Sequence, residues 1–351
     1  AKISIGQQGN DNIASYAYAD MYNLIPSSDG MAMIPTFSRM GNPNITWETT
    51  TNFNAGIEWG LFGNRFSGSF DFYTKKTTDL LFYLTVPRST GAGGYYDNIG
   101  DIRNTGVELT LNGSILRTRD YEWNVSFNIA HNSAKLLKLP ASKMGNRGGF
   151  YSDNNWYAEN SPMYNYMCVA YAGVNENGQA LYYQDTDLLA ENGSMDTSRP
   201  GTKRDATTTI ASQASRYTMG STLPKAYGGF STSARIKWFD ISLTFDYQLG
   251  GKVFDQRYQT LMTPTASTQQ AGRNFHKDIF NAWSPTNTSS DIPHWQYLDE
   301  NAASACDRFL TSARYLNFQS FTVGFSMPSE WIKNYAKVRV YLSGENLCFW
   351  S

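Results

Sequence analysis

The segment from Trp47 to Phe82 contains two long runs in which apolar and polar residues alternate. The alternating apolar residues are Phe53, Ala55, Ile57 and Trp59 in the first run, and Phe66, Phe70 and Phe72 in the second. Because successive side chains of a strand point to opposite faces, each run predicts a β-strand with one apolar and one polar face. The intervening Gly63, Asn64 and Arg65 predict a tight turn. Long strands of this kind are typical of a membrane β-barrel, which is apolar outside and polar inside.

Alternation of the same kind recurs along the rest of the chain. Predicted strands lie near 2–7, 47–60, 64–82, 107–112, 123–130, 227–236, 240–249, 314–326 and 338–343. In the segment 314–326 the phase slips between Phe318 and Phe321, which predicts a β-bulge. The sequence therefore predicts an all-β fold, a transmembrane antiparallel β-barrel with nine membrane strands in this chain. A tenth strand would be needed to return the chain to the side on which the first strand begins.

The connections between these strands alternate strictly between short and long. Short links are predicted near 61–65, 116–120, 237–238 and 327–336. Long ones are predicted at 8–44, 83–97, 137–222 and 253–310. Outer-membrane barrels have short periplasmic turns and longer extracellular loops, so this pattern predicts that all four long connections are extracellular.

Composition argues against several other classes of protein. The 29 Lys and Arg residues nearly balance the 30 Asp and Glu residues, whereas a nucleic-acid binder more often has a basic excess. No apolar run is long enough to form a membrane helix. Aromatic residues make up 15% of the chain, as expected where aromatic girdles meet both membrane interfaces.

No arrangement of residues with the spacing of a catalytic, cofactor or metal site occurs in the chain. The three cysteines and three histidines are widely scattered, which predicts neither a metal site nor a full disulfide framework. The acidic residues Asp185, Asp187, Glu191 and Asp196 do not have the spacing of an EF-hand, so we expect a solvated acidic loop. The sequence thus predicts a protein that is not an enzyme and has no cofactor.

Both ends of the chain lie in or beside a predicted strand. An open sheet edge in lipid would leave backbone N–H and C=O groups unpaired. We therefore expect the chain to contribute nine or ten strands to a larger barrel.

Several motifs resemble one family of transporters. They include NPNITWETT at 42–50, GLFGNR at 60–65, the segment 71–81, and NIGDIRNTGVEL at 98–109. Further motifs lie at 172–174, 228–231, 307–309, 315–316 and 343–347. In this order they resemble the SusC/RagA-type TonB-dependent transporters of Bacteroidetes, and the resemblance covers nearly the whole chain. It places residues 1–351 in the C-terminal part of the barrel of such a transporter.

The resemblance implies an outer-membrane barrel of about 22 strands with an N-terminal plug inside it. It also implies a SusD-like surface lipoprotein as a lid, and import of bulky nutrients driven through the TonB complex. The plug, which would contact TonB, has no counterpart in this chain, so energy coupling is inferred from the resemblance alone.

Aromatic residues in the long loops are the candidates for substrate binding. Tyr151, Trp156 and Tyr157 form one cluster, and Tyr95 and Tyr96 form another. Their rings can stack on sugar faces or pack against peptide side chains, with neighbouring polar residues supplying hydrogen bonds. The alternative is that they belong to the outer aromatic girdle or to the packing of a loop. For the first cluster the two readings are nearly balanced, because no strand is predicted there.

A second set of candidates consists of charged residues in strands. The alternation predicts that they face the lumen of the barrel, where they would line the route or contact the plug. These residues are Glu58, Asp71, Glu108, Asp240, Asp246, Arg339 and Glu345. The alternative is simple solvation of the barrel wall, and it applies to most of them.

The sequence therefore predicts an outer-membrane importer of a bulky nutrient, in contact with lipid, a lipoprotein lid and its cargo. A glycan or oligosaccharide is the first expectation for the cargo, and an oligopeptide is the second. Two other classes remain open at this stage, a passive porin without a partner and a β-rich surface binding protein.

Overall fold

The computed structural model of the protein describes residues 1–86, 89, 93–140, 144, 148–263, 274–297, 299–332 and 336–351. Most of these residues lie in β-strands. In chain order the strands are β1 (Lys2–Asn10), β2 (Met21–Pro26), β3 (Met33–Arg39), β4 (Glu48–Leu61), β5 (Phe66–Thr78), β6 (Leu81–Thr85), β7 (Gly94–Asn98), β8 (Asp101–Arg117), β9 (Tyr121–Lys138), β10 (Gly149–Ser152), β11 (Asn155–Ala158), β12 (Asn165–Val169), β13 (Tyr171–Val174), β14 (Ala180–Gln184), β15 (Ala206–Thr208), β16 (Arg216–Ser221), β17 (Ala226–Ile236), β18 (Phe239–Leu249), β19 (Lys252–Phe254), β20 (Leu310–Ser312), β21 (Tyr315–Ser326) and β22 (Arg339–Trp350).

The helical segments are short. They are an α-helix at Gln256–Met262 and 3₁₀-helices at Thr186–Leu188, Ala211–Gln213, Lys277–Asn281, Asp307–Phe309 and Ser329–Ile332. None of the helices in the described ranges combines the length and the apolar character needed to cross a membrane.

Within the described residues, nine strands form one large sheet in the order β1-β4-β5-β8-β9-β17-β18-β21-β22. Every neighbouring pair is antiparallel, so the chain runs up and down through the sheet without a crossover. The prediction of nine membrane strands is confirmed. We call this sheet the wall, and β1 and β22 form its two edges.

The pairing register separates the wall into a polar and an apolar face. Glu58 on β4 starts a row of directly paired residues that continues through Ser69, Thr110, Asn128, Gly229, Asp246 and Asn317. One residue earlier, Ile57 starts a row that contains Phe70, Leu109 and Ile129. Because a slip of one residue would exchange the two faces, the contrast between them fixes the register of the whole sheet.

The predicted bulge near Phe318 is confirmed. The pairing of β21 with β18 skips Gln319, because Phe318 lies opposite Phe245 and Ser320 lies opposite Thr244. The register also shifts between Phe318 and Ser320 on the side that faces β22. The extra residue restores the alternation, so that apolar rings before and after the bulge lie on one face.

Three of the predicted short links are tight turns at one end of the wall, between β4 and β5, between β8 and β9, and between β17 and β18. The fourth, near 327–336, contains the 3₁₀-helix Ser329–Ile332 and residues 333–335, which lie outside the described residues. Phe62, Gly63 and Asn64 all have positive φ angles between β4 and β5, and Lys237 has one between β17 and β18. Links of this kind reverse the chain within a few residues, so that neighbouring strands pair from their first residue. The long connections therefore leave from the opposite end of the wall.

The predicted strand 64–82 is too long. The wall strand β5 ends at Thr78, and Asp79 has a left-handed backbone with a φ of 57°. A non-glycine residue in this conformation breaks the extended ladder. Leu81 and Phe82 instead begin β6, which pairs with β7 in a separate hairpin.

The long connections contain more secondary structure than the sequence predicts. The connection 8–44 holds the hairpin β2–β3, and the described part of 83–97 lies largely in the β6–β7 hairpin. The connection 137–222 holds the seven strands β10 to β16. Residues 87–88, 90–92, 141–143, 145–147 and 264–273, which belong to three of these predicted loops, lie outside the described residues.

The third and fourth long connections share a hydrophobic core. We call residues 148–222 and the described part of 253–310 together the loop domain. The buried core side chains, which come from both connections, are Val169, Ala180, Tyr182, Ala211, Ala214, Met262, Cys306 and Phe309. Tyr182 and Phe309 are each only 1% exposed, and the Tyr182 hydroxyl donates a hydrogen bond to the backbone oxygen of Asn301 at 2.5 Å. The loop domain is thus a packed unit on one end of the wall.

Aromatic rings collect on the apolar face at the short-turn end. The Phe239 and Phe325 rings lie 5.0 Å apart between centroids, and Trp331 contacts both Phe325 and Trp238 at 6.2 and 5.8 Å. Aromatic girdles mark the level of the membrane interface in outer-membrane barrels. This cluster therefore supports the orientation in which the apolar face meets lipid.

Replacing Leu243 with Arg tests which face meets lipid. Leu243 lies in an apolar row between Thr232 and Phe321, whereas its neighbour Ser242 belongs to the polar face. We expect Leu243→Arg to destabilise the assembled barrel by about 2–4 kcal/mol, the cost of Arg at the bilayer midplane. Ser242→Arg is the matched control and should assemble almost normally. Equal assembly of the two variants, measured by heat-modifiable gel mobility of outer-membrane fractions, would contradict the facing.

Candidate functional site

The seven charged residues predicted to face the lumen all lie on the polar face of the wall. Glu58 and Asp246 belong to the same row of paired residues, and Asp71 lies directly opposite Glu108. The remaining three, Asp240, Arg339 and Glu345, fall on the same face by the register of β18, β21 and β22. The alternation therefore grouped these residues on a common face, and their exposure to a lumen stays a prediction.

Some of these charges form ion pairs along the wall. Lys2 Nζ lies 2.9 Å from both Glu58 Oε1 and Asp71 Oδ1. Arg339 makes two contacts with Asp240, through Nε at 3.2 Å and Nη2 at 2.5 Å. Lys2 on β1 thus contacts Glu58 on the adjacent β4 and Asp71 on β5, and Arg339 on β22 reaches past β21 to Asp240 on β18. Water on this face weakens each of these pairs.

A groove of about 350 Å³ runs along the polar face near the short turns. Its lining is dominated by hydroxyl and amide groups, with no charged side chain among the lining residues. These residues are Asn64, Ser67, Asn112, Gly113, Ser114, Asn124, Val125, Ser126, Ser231, Thr232, Ser233, Ser242 and Thr244. Such a surface offers both hydrogen-bond donors and acceptors to a polar solute without a strong preference for either sign of charge.

The aromatic cluster 151–157 lies in a β-hairpin, which corrects the expectation that no strand runs there. Tyr151 on β10 pairs with Trp156 on β11, and Ser152 pairs with Asn155. Between them, Asp153 and Asn154 have φ angles of 49° and 60°. A two-residue turn with both central φ angles positive is the favoured connection of a tight hairpin, and Asp and Asn adopt it more readily than most residues.

The three rings of this cluster occupy different environments. Trp156 is 6% exposed and therefore belongs to the interior of the loop domain. Tyr151 is half-buried, with the Arg216 guanidinium 4.3 Å from its ring centroid and its hydroxyl donating to Asn154 Oδ1 at 2.6 Å. Tyr157 is half-buried and stacks on Phe150 at 5.1 Å. Burial raises the pKa of both tyrosines, so their hydroxyls stay protonated and can donate hydrogen bonds.

Tyr95 and Tyr96 lie on β7, in a different sheet from Tyr151 and Trp156. The Tyr96 ring meets Tyr83 edge-on at 5.2 Å. Its backbone oxygen accepts a hydrogen bond from Asn42 Nδ2 at 3.0 Å. The two predicted aromatic clusters are therefore separate features, and Tyr95 and Tyr96 are half-buried members of a hairpin.

The motif 42–50 has a structural role next to that hairpin. Asn42 is 8% exposed and also donates to Asp97 Oδ1 at 2.9 Å. Asn98 Nδ2 donates to the backbone oxygen of Thr46 at 2.7 Å, and Glu48 Oε1 accepts from the Leu81 N–H at 2.9 Å. These side chains satisfy backbone groups that the irregular chain leaves unpaired, and they hold the β6–β7 hairpin at the start of β4.

Asp185 is not part of a solvated acidic loop, which corrects the expectation for that residue. It is 1% exposed, and its carboxylate accepts hydrogen bonds from the backbone N–H groups of Asp187, Thr202 and Lys203 at 2.7 to 3.1 Å. Burial opposes the charged form, but these donors outweigh it and lower the pKa of Asp185. Asp185 therefore ties the chain at 185–187 to the chain at 202–203.

The described residues contain no group of three or more His, Cys, Asp and Glu side chains placed to hold a metal ion. Cys168 and Cys306 are both free and buried, and burial raises the pKa of each thiol to about 12. These two groups are therefore thiols at neutral pH and serve as small apolar side chains of the loop domain.

The loop domain also has a cleft of about 690 Å³ that sequence reasoning missed. Its lining residues are Tyr258, Asp278, Asn281, Asn287, Ser289, Ser290, Asp291, Ile292 and Arg308. They come from an α-helix, two 3₁₀-helices and one irregular segment, so they share no periodic pattern. The sequence does contain many Asn, Ser and Asp residues between 278 and 291. This composition is also usual for a surface loop, so it does not identify a cleft.

Comparison with known proteins places this chain among outer-membrane barrels. The family model described as "TonB dependent receptor-like, beta-barrel" matches residues 8–136. TonB-dependent receptor P3 of Formosa agariphila is 28% identical over 361 residues, which cover 99% of this chain and 34% of that protein. TonB-dependent receptor SusC of Bacteroides thetaiotaomicron is 26% identical over 96% of this chain and 31% of its own length.

Solved structures give the same answer. The structure of the RagAB peptide transporter aligns with this chain with a TM-score of 0.76 and 26% identity. The alignment covers 100% of this chain and 37% of the matched chain. The RagAB peptide importer in its open-open state aligns with a TM-score of 0.78. The chain spans about a third of the length of the curated relatives it matches.

The fold and the two faces of the wall define the class of protein, an outer-membrane β-barrel. Within that class, the comparisons support a fragment of the barrel of a SusC/RagA-type TonB-dependent transporter. The predicted family, fold class and outer-membrane location are confirmed. Members of this family are transporters rather than enzymes, which agrees with the prediction that the chain is not an enzyme.

Truncation of Trp156 tests whether this ring is part of the interior of the loop domain. Because it is 6% exposed, Trp156→Ala should leave a cavity and destabilise the hairpin by about 3–5 kcal/mol. Tyr157→Ala, which removes a half-buried ring, should destabilise it less. Limited proteolysis should show faster cleavage within 148–222 in Trp156→Ala, with the wall intact. Native protease resistance in this variant would instead favour an exposed, ligand-binding role for Trp156.

Proposed function

We propose that this chain forms part of the wall and of the substrate-capturing loops of an outer-membrane importer for bulky nutrients. The observation that carries the proposal is the combination of a polar face that continues over nine strands with a packed loop domain at one end of the same sheet. The polar face would line the passage, and the apolar face would meet lipid. The loop domain would contact cargo where it enters.

The family supplies the proposed partners. A SusD-like surface lipoprotein would cover the long-loop end as a lid, as implied by the likeness to the SusC receptor and to the RagAB transporter. The TonB complex would supply energy through a plug region of the whole protein. In this arrangement the wall would not move during transport. Movement of the lid and of the plug would open the two ends of the passage.

A glycan or oligosaccharide is the cargo that we propose first. The groove on the polar face and the cleft of the loop domain are both lined mainly by hydroxyl, amide and carboxylate groups, which suit sugar hydroxyls. An oligopeptide is the second candidate, and it is favoured by the likeness of this chain to the RagAB peptide transporter. We favour an importer over a passive porin or a β-rich surface binding protein, because the relatives that the chain matches are TonB-dependent receptors.

Uptake by living cells tests the proposed function. Deletion of the gene in its native host should abolish or strongly reduce accumulation of a fluorescently labelled cargo oligosaccharide, and the intact gene should restore it. A strain that carries the gene but lacks TonB is the matched control, because energy-driven import should fail there too. Uptake that persists without TonB but disappears without this gene would instead indicate a passive pore.

A further inference from the structure

The 690 Å³ cleft of the loop domain is framed by side chains that are already held in place. The Asn281 backbone oxygen accepts hydrogen bonds from Asn287 Nδ2 at 3.1 Å and from Ser290 Oγ at 2.6 Å. Ser290 Oγ in turn accepts from the Ile292 N–H at 3.0 Å. These bonds close the segment 281–292 on itself, so one wall of the cleft is preorganised and a ligand would not have to order it.

The opposite wall is anchored on the hydrophobic core. Tyr258 donates from its hydroxyl to Asp278 Oδ2 at 2.9 Å, and its ring meets the buried Phe309 at 6.0 Å. Arg308 lies beside Phe309 in the chain, and its guanidinium stands 5.7 Å from the Tyr171 ring centroid. The Tyr171 hydroxyl donates to the Asp291 backbone oxygen at 2.7 Å, which links the two walls.

Within this frame, polar groups are left without partners. Arg308 Nη2 is buried and has no hydrogen-bond partner among the described residues. The Asp291 carboxylate is exposed and accepts no hydrogen bond from the described residues. Asp278 Oδ2 accepts from Tyr258 and lies 3.2 Å from His276 Nδ1, which leaves Asp278 Oδ1 as its available acceptor. A buried donor without a partner is rare in folded proteins, and a bound ligand is one way to satisfy it.

The charges of the lining restrict the chemistry of such a ligand. Two carboxylates, Asp278 and Asp291, face one guanidinium, so an anionic ligand would meet a net negative lining. A cationic ligand would meet the positive charge of Arg308, and it would not supply the acceptor that Arg308 Nη2 lacks. A neutral ligand with closely spaced donors and acceptors satisfies all three groups at once.

Neutral oligosaccharides have this property more fully than peptides. Each sugar hydroxyl both donates and accepts, so neighbouring hydroxyls can accept from Arg308 and donate to Asp291 or Asp278. A peptide places its side chains in apolar pockets, whereas Ile292 is the sole aliphatic side chain among the lining residues. The volume lies within the range of about 300–1,000 Å³ that is usual for small-ligand sites.

We propose that this cleft is a binding site for a neutral oligosaccharide, with Arg308 as hydrogen-bond donor and Asp278 and Asp291 as acceptors. The proposal rests on the proposed import function and adds the position and chemistry of one capture site. It also gives a role to the motif 307–309, of which Asp307 holds the Tyr171 N–H at 2.8 Å and Phe309 fills the core.

Isothermal titration calorimetry on the full-length transporter tests this site. The probes are a panel of neutral gluco-, xylo-, manno- and galacto-oligosaccharides, with a mixture of short peptides as the competing class. Asp291→Asn is the main variant, because this exposed carboxylate supports no hydrogen bond within the described fold. Arg308→Gln is the second variant. Glu191→Gln removes another exposed loop carboxylate, outside the cleft, and is the matched control.

We expect the wild-type protein to bind at least one oligosaccharide, and Asp291→Asn and Arg308→Gln each to weaken that binding roughly tenfold, as loss of a hydrogen bond to a charged group implies. Glu191→Gln should bind like wild type. Unchanged oligosaccharide affinity in both cleft variants would overturn the site. Binding of peptides alone, or of none of the probes, would overturn the ligand class, while TonB-dependent uptake by cells would still decide the import function separately.

Discussion

Backbone pairing between neighbouring strands is the constraint on which the rest of this structure depends. In lipid, an N–H or C=O group without a partner is too costly to leave exposed, so each strand must be hydrogen-bonded on both sides. The wall meets this requirement for its seven inner strands, whereas the edge strands β1 and β22 each pair on one side within the described residues. Its register then sorts side chains onto an apolar and a polar face.

The alternation of short and long connections follows from the same constraint. Up-and-down pairing needs only a few residues to reverse the chain at one end, as at Lys237, where a single positive φ angle completes the turn. Connections at the other end can be long, because they leave the sheet without disturbing its strand pairing. The loop domain therefore carries its own core, in which Tyr182 and Phe309 are almost fully buried. The proposed binding site therefore lies in a separately packed unit that is anchored to the wall.

The wall was predictable from sequence because its signal is local and repeated. A strand such as β18 alternates over 11 residues, so its existence, facing and neighbours follow from the period alone. The bulge at Gln319 was also predictable, because the alternation of apolar residues along the strand shifts by one position there. The end of β5 was missed because Leu81 and Phe82 continue an apolar pattern after Asp79 has already left the strand conformation.

The loop domain was not predictable in the same way. Its strands are three to six residues long, too short for alternation to be distinguished from chance. Trp156 and Tyr157 are adjacent aromatic residues in a polar stretch, yet one lies in the interior and the other is half-exposed. The cleft joins Tyr258, Asp291 and Arg308, which the chain brings together only after both long connections have packed. Contacts of this range leave no periodic trace.

The most direct test of the account is a cysteine scan along β18 in the membrane-embedded protein, with exposed Cys348 replaced by Ser. Each position from 240 to 249 would be probed with a membrane-impermeant thiol reagent and with a lipid-borne quencher of an attached fluorophore. The account predicts a strict period of two, with Ser242, Thr244 and Asp246 reactive from water and Leu243 and Phe245 quenched by lipid. Reactivity without that period, or water access to both sets, would contradict it.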